Sequence, residues 1–289
     1  MKDGLHVFAA SAVALGLSWC GFVLWPAIQL GTARQAAALN SSDLYPLQRP
    51  GPATLGLQVY RANGCAACHT EQVRQEGVTS AILLTSIGKN PPGEFRKFVA
   101  SLLELPEFES CSNAVASQLQ SWNGKLPSVI ATNLDAGDAG DLLQKINAGG
   151  CKSEMQIIAE GPDISRKWGL RRSVAADFLY DAPVQLGNLR AGPDLADVGE
   201  RYGSVDWQLQ HLYAPKSQAK DSAMPPFRYL FEVRRIGDAS SPDALVLPAP
   251  FAPPAGYEVV PTDDAKNLAA YLVSLRMSVP LYEAPYTPQ

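Results

Sequence analysis

The sequence predicts a mainly α protein in three parts: one N-terminal membrane-spanning helix, a helical domain made from two separated stretches of chain, and a small α+β domain inserted between those stretches. Three observations carry that reading. Val7 to about Leu30 (VFAASAVALGLSWCGFVLWPAIQL) is almost free of charge. Two helical patterns stand far apart, around Leu57 and around Tyr271. Between them, residues 80–160 alternate strand-like and helical runs. The expected division is an anchor and linker over 1–50, the first part of the helical domain over 51–76, the insertion over 77–161, and the second part over 162–289.

The chain has 289 residues, a length that suits about two domains. Its net charge of −4 argues against nucleic acid, whose phosphates call for a basic footprint. The N-terminal apolar run is long enough to cross roughly 30 Å of hydrocarbon. Trp19 and Trp25 suit one interface, and Pro26 is expected near the helix end. A cleaved signal peptide is the alternative, but the run exceeds the roughly 7–15 residues of a signal core. The small residues Ala36 to Ala38 lie well past it. Lys2 and Arg34 give too little charge bias to orient the helix. Residues 40–55 read as a linker, because Pro46, Pro50, Gly51 and Pro52 stop a helix and stiffen the chain.

A short helix carrying Leu57, Tyr60 and Arg61 is expected after Gly56, which would let it cross another helix closely. The partner is the C-terminal helix. Thr262 caps it, Asp263 and Asp264 favour the positive end of its dipole, and Leu268, Tyr271, Leu272 and Leu275 form its apolar stripe, with Arg276 closing it. Within the insertion, Ala81–Ile87, Phe95–Leu103 and Cys151–Ile158 read as strands. Ser110–Trp122 and Asp135–Ala148 read as helices, the second ending in Gly149-Gly150. Asp238 to Pro261, rich in proline and glycine, reads as ordered loops.

Cys65-Ala66-Ala67-Cys68-His69 is the strongest chemical signal. Two cysteines at this spacing can each add to a haem vinyl group, and the next residue supplies an imidazole nitrogen to the iron. A structural zinc site is the competing reading, but zinc wants four protein ligands. Cys111, Cys151, His6 and His211 lack finger-like spacing. A thioredoxin-like dithiol would need a βαβ setting, and none surrounds the motif. A six-coordinate iron suits electron transfer, and methionine sulfur is a common sixth ligand. Met155, Met224 and Met277 are the candidates. Met224 is preferred because Asp221-Ser222-Ala223-Met224-Pro225-Pro226-Phe227 forms a stiff loop ahead of the terminal helix. His211, on a helix from Asp206 to Tyr213, is the runner-up.

Two terminal helices crossing beside a haem resemble the small cytochrome c architecture. In that fold a proline carbonyl accepts the N–H of the ligand histidine, which fixes the ring and raises its basicity. Gly192-Pro193-Asp194-Leu195 assigns this role to Pro193, with an ordinary turn as the alternative. Arg190 could pair with a haem propionate or stand as a solvated surface charge.

The residues together resemble one family. Gly64 to Arg74 (GCAACHTEQVR) is similar to the haem segment of the mono-haem subunit of cbb3-type cytochrome c oxidases, subunit II or FixO-type. The likeness resumes at Asp177-Phe178-Leu179-Tyr180-Asp181-Ala182-Pro183 and continues through Arg190 to Gly199, Arg201-Tyr202, Trp207, His211 to Pro215, and the Ser222 to Phe227 loop. It covers roughly residues 1–76 and 162–289. The resemblance implies one covalently bound haem c and single-electron transfer to a haem–copper catalytic subunit, with no catalysis by this chain itself. It implies other cytochrome c subunits as partners, no nucleic acid, and a bacterial inner-membrane location with the haem domain on the periplasmic side. A free-standing anchored cytochrome serving another respiratory enzyme is the alternative. A haem enzyme or gas sensor would need an open iron with a supporting constellation, and none is evident.

One departure from the family is large: about 85 extra residues, 77–161, intervene between the haem motif and the Gly-Pro-Asp-Leu region. This insertion is similar to the C-terminal domain of the ribosomal stalk protein, but the glycine- and lysine-rich edge by which that domain binds factors is not evident. A docking or stabilising role is expected, with an inert insertion as the alternative. Cys111 and Cys151 are expected to form a disulfide closing a loop of about 41 residues, a link of roughly 4 kcal/mol in the chain-entropy view. Two free buried thiols are the alternative.

Overall fold

The computed structural model describes residues 2–32, 34–37, 44–49, 51–277 and 279–287. The N-terminal helix runs as α1 (Lys2–Trp19), a π-helical turn (Cys20–Leu24) and α2 (Trp25–Gly31). Pro26 therefore lies inside the helix, not near its end as expected. It has no N–H for the carbonyl four residues back, and its ring crowds that carbonyl. The wider turn, closed by Trp25 N–H on Cys20 O, accommodates both defects. The segment Gly4–Gly31 is long and apolar enough to cross a membrane, with none of it buried against the rest of the chain.

Residues 40–43 and 50 of the expected linker fall outside the described residues. The part that follows is tied to the body of the protein. Strands β1 (Ala36–Ala37) and β2 (Leu44–Tyr45) pair antiparallel. Tyr45 Oη donates to Asp177 Oδ1 at 2.8 Å, and Arg49 pairs with Asp181. The linker ends earlier than expected, because α3 (Pro52–Ala62) starts at Pro52. In the first turn a missing N–H costs nothing, and the fixed φ suits a helix.

The insertion comprises β3 (Gly77–Ser86), α4 (Pro92–Leu103), α5 (Ser112–Ser121), β4 (Ser128–Leu134), α6 (Ala136–Ala148) and β5 (Lys152–Glu160). Its antiparallel sheet has the order β4-β3-β5. The helices pack on that sheet through a core of its own that includes Ile82, Phe95, Val99, Ile130, Leu142 and Ile146. Gly77 and Glu160 are register partners, so the chain enters and leaves this unit at adjacent points.

Two expectations here need correction. Phe95–Leu103 is helical, not a strand. Phe95, Val99 and Leu103 recur every four residues and bury one helical face. The expected disulfide is also not formed: Cys111 and Cys151 are both free and buried. Cys111 lies by Asp138 and Asp135 at the start of α6, whereas Cys151 follows the end of that helix. A helix of 13 residues is about 20 Å long, and a bridge needs Cα atoms within about 7 Å. The strand β4 was not expected.

The second part of the chain contains α7 (Pro162–Ser165), α8 (Val198–Arg201), α9 (Val205–Tyr213), α10 (Pro215–Gln218), β6 (Phe231–Arg235), β7 (Tyr257–Pro261) and α11 (Asp263–Ser274). The last residues of the expected Asp238–Pro261 loop form β7, antiparallel to β6. The content is mixed, 44% helix and 15% strand, with the three-stranded sheet lying in the insertion. α3 crosses α11 closely. A β-carbon on Gly56 would sit 1.9 Å from Asn267 O, so only glycine fits. One turn later the Tyr60 and Tyr271 rings meet at 5.2 Å. Thr262 caps α11 through Ala265 N–H, and Arg276 Nε donates back to Val273 O at 3.2 Å. Leu57, Leu209, Leu212, Leu268 and Leu272 fill the core around this crossing.

Candidate haem site

The site begins where α3 ends. Asn63 Nδ2 donates to Val59 O, and Gly64 takes a left-handed conformation with φ +66°. Glycine adopts that conformation without steric cost. The chain then tightens into a 3₁₀ turn over Cys65–Ala67, with Cys68 N–H and His69 N–H both donating to Cys65 O. Both thiols and the imidazole are thereby held within one turn. Cys65 is half-buried against the core, while Cys68 is exposed. Burial pushes the Cys65 thiol up to about 12.

His69 is set for coordination by what surrounds it. Its Nδ1 lies 2.8 Å from Pro193 O and donates to that carbonyl, which leaves the Nε2 lone pair free for a metal. Burial pulls its pKa below the ordinary histidine value, against the Pro193 carbonyl and Asp194, so the ring is neutral at pH 7. Residues 186–195 lie along the haem-motif segment. Asn188 N–H donates to Ala66 O, Gly192 N–H to Cys68 O at 3.0 Å, and Leu195 N–H to Thr70 O at 2.7 Å. A β-carbon on Gly192 would sit 2.2 Å from His69 Cε1, so the ring occupies the space a side chain would take. The buried Asp194 carboxylate accepts from Thr70 Oγ1, Gln72 N and Ala196 N, locking the two segments together.

Met224 is half-buried and packs against the same core cluster as Cys65 and Ala66. Within its loop Met224 N–H donates to Ser222 Oγ, and the loop's end is held by Phe227 N–H donating to Leu212 O at 2.9 Å. Met277 is buried elsewhere, with Val73 and Ala196, and accepts from Ser173 Oγ. Met155 lies exposed on β5 in the insertion.

Arg190 does not stand free for a propionate. It binds Asp163 Oδ1 at 2.5 Å and Gln72 O at 2.6 Å, and its guanidinium lies over the Trp168 ring. Sequence reasoning missed a second arginine beside the site, Arg201. It donates through Nη2 to Asp194 O, while its Nε, like that of Arg190, is buried with no hydrogen-bond partner among the described residues, and it lies near His69. His211 Nδ1 is likewise buried and unpartnered. Burial, with nearby His69 second, holds the His211 pKa below its ordinary value. Unsatisfied buried polar atoms cost about 1–3 kcal/mol each, so two such atoms beside one histidine fit a polar or anionic group bound there. The donor set and these two atoms suit a haem with its carboxylates. Among the described residues no group of three or more His, Cys, Asp or Glu could hold a metal ion.

Glu71, two residues after His69, also went unnoticed in the sequence. It is 1% exposed and accepts from Tyr271 Oη at 3.0 and 2.9 Å. Burial pushes its carboxyl up to about 7. No local pattern marks it, because its partner comes from α11.

Residues 145–246 match a family model described as cytochrome C oxidase, mono-heme subunit/FixO. The match begins inside α6, within the stretch assigned to the insertion. It contains the Pro193 carbonyl that holds His69 and the Met224 loop, while the haem motif lies outside it. None of the curated proteins compared with the chain matches it.

Proposed function

We propose that this chain, recognised as a mono-haem cytochrome c oxidase subunit of the FixO type, is a membrane-anchored c-type cytochrome that passes single electrons to the haem–copper catalytic subunit of a cbb3-type oxidase. The observation that carries the reading is the hydrogen bond between His69 Nδ1 and Pro193 O. It joins the haem motif to a segment inside the family match. When bound, the haem supplies one-electron exchange between ferric and ferrous iron.

The chain's own residues do the rest. Cys65 and Cys68 would provide thiols for two thioether links. His69, neutral and held by Pro193, would provide a nitrogen to the iron. Met224 would provide a sulfur, and Arg201 and His211 would provide donors for the haem carboxylates. Two fixed protein ligands would keep reorganisation small when the charge changes, which is what a carrier requires. The helical part is a cytochrome c fold, assembled from 51–76 and 162–289. The N-terminal helix holds it at the periplasmic face of the bacterial inner membrane. The segment 77–161 is a separable domain, likened to the ribosomal stalk domain at the level of fold, with a docking or stabilising role.

A haem-stained denaturing gel tests the attachment. Single Cys65→Ser or Cys68→Ser changes should weaken the stain and the double change should abolish it. Undiminished staining of the double variant refutes the assignment. Isolation of the complex from native membranes tests the partner: haem b and copper should accompany the chain. A preparation with neither would favour the free-standing cytochrome.

A further inference from the structure

We propose that the loop 166–172 and the turn 281–284 form a contact surface for anionic phospholipid headgroups, at the leaflet where the N-terminal helix leaves the bilayer. The proposal rests on the reading of that helix as a membrane anchor and is independent of the haem.

The chain itself ties this surface to the bilayer. The segment able to cross a membrane ends at Gly31. Ala36 follows within about 18 Å of chain, at roughly 3.6 Å per residue, and pairs with Tyr45. Tyr45 Oη donates to Asp177 Oδ1 at 2.8 Å, and the Arg171 guanidinium lies over the Tyr45 ring at 5.9 Å. The linker leaving the anchor is therefore bound at the end of the loop 166–172. Arg172 Nη2 donates to Glu283 O at 2.6 Å, which sets the turn 281–284 beside that loop.

The loop reads RKWGLRR, four cations and no acid, in a chain whose net charge is −4. Arg171 is buried and paired with Asp177 at 2.7 Å. The other three are exposed. Arg166 stands 4.0 Å from Asp163, a carboxylate already held by Arg190 at 2.5 Å. Arg172 donates to a backbone carbonyl, and among the described residues neither Lys167 nor the Glu283 carboxylate forms an ion pair. Lys167 holds φ +60°, a left-handed conformation that suits glycine and that other residues rarely adopt. A cation thus occupies an exposed apex where the backbone favours glycine. The Arg166 guanidinium lies over the Trp168 ring at 5.0 Å, which keeps it in the same patch. Among these cations Leu170 is 44% and Tyr282 is 94% exposed. Exposed cations mixed with a leucine and a tyrosine suit the headgroup layer, where phosphates pair with basic groups and amphipathic rings are favoured. The attraction fades within about 8 Å at physiological salt, so it serves a surface tethered close to the bilayer, and the linker supplies the tether.

Amide hydrogen exchange on the full-length chain in nanodiscs tests this. One set holds phosphatidylcholine alone, and the other an equal mixture of phosphatidylcholine and anionic phosphatidylglycerol. Peptides covering 166–172 and 281–284 should exchange several-fold more slowly in the mixture, with peptides of the insertion unchanged. The difference should vanish in ~1 M sodium chloride, where the screening length is about 3 Å. Arg166→Gln with Lys167→Gln should abolish it too, while leaving the Arg172 bond to Glu283 O in place. If that variant does not fold, Lys167→Gln alone, which breaks no ion pair, should reduce the protection. Equal exchange in the two lipids overturns the proposal. So does protection found only in a native complex with other subunits, which would make this face a protein contact. The readout needs no haem, so its failure is distinct from failure of the proposed function.

Discussion

Replacing Gly192 with alanine should displace the ligand histidine without touching it in sequence. The new β-carbon would lie 2.2 Å from His69 Cε1, 2.7 Å from Nδ1 and 2.9 Å from Nε2. Ordinary contact begins near 3.4 Å, so the ring must retreat by about 1.2 Å (3.4 − 2.2). The backbone cannot easily yield instead, because Gly192 N–H is bonded to Cys68 O and Leu195 N–H to Thr70 O. Retreat of the ring breaks the bond from Nδ1 to Pro193 O, a loss of about 1 kcal/mol. Overpacking adds about 1–3 kcal/mol. The lower entropy of an unfolded chain with alanine offsets about 0.4–1 kcal/mol. The net expectation is about 1–3 kcal/mol of destabilisation, with the imidazole drawn off the iron axis. Covalent haem should persist, since the thioether positions are untouched. Denaturant unfolding, the oxidised visible spectrum and a haem-stained gel read the three quantities. The expected result is a lowered midpoint, a rise in high-spin signal and normal staining. A variant with wild-type midpoint and an unaltered low-spin spectrum would refute the steric argument.

Met224→Ala should remove the weak far-red sulfur-to-iron band of the oxidised protein and lower its potential, because a thioether favours ferrous iron. Met277→Ala should keep the band but cost about 2–5 kcal/mol, as its side chain is 4% exposed. Loss of the band in the second variant alone would reverse the ligand assignment. Replacing residues 78–159 with a short glycine-serine bridge should leave the haem low-spin, since Gly77 and Glu160 are already paired; a haem-loaded but high-spin product would show that the insertion shapes the site. Glu71 binds its proton more tightly folded than unfolded, with a pKa raised from 4.5 to about 7. Its contribution to stability should therefore fall as pH rises from about 4.5 to 7, by about 3 kcal/mol in all. Urea unfolding across that range should show the slope flattened in Glu71→Gln, and an identical slope in both proteins would refute it.

What the sequence by itself determined lies in short-range patterns. The charge-free run from Val7, the spacing of Cys65, Cys68 and His69, and the glycine and tyrosine of α3 are each legible within a few residues, because helix periodicity and covalent geometry act locally. The crossing of α3 on α11 was readable for the same reason: Gly56 is the one residue type that allows the observed approach. Phe95–Leu103 was misread because a short apolar run with charges between suits either period until its packing partners are known.

Tertiary structure alone decided which distant groups meet. It placed Cys111 and Cys151 at opposite ends of α6, where no pattern of cysteine counting could foresee the separation. It committed Arg190 to Asp163 and brought Arg201, bound to Asp194 O, near His69. It set Glu71 beneath Tyr271, 200 residues away. These pairings depend on how segments far apart in sequence share a small volume, and burial sets the energy of each charge only once that volume is formed.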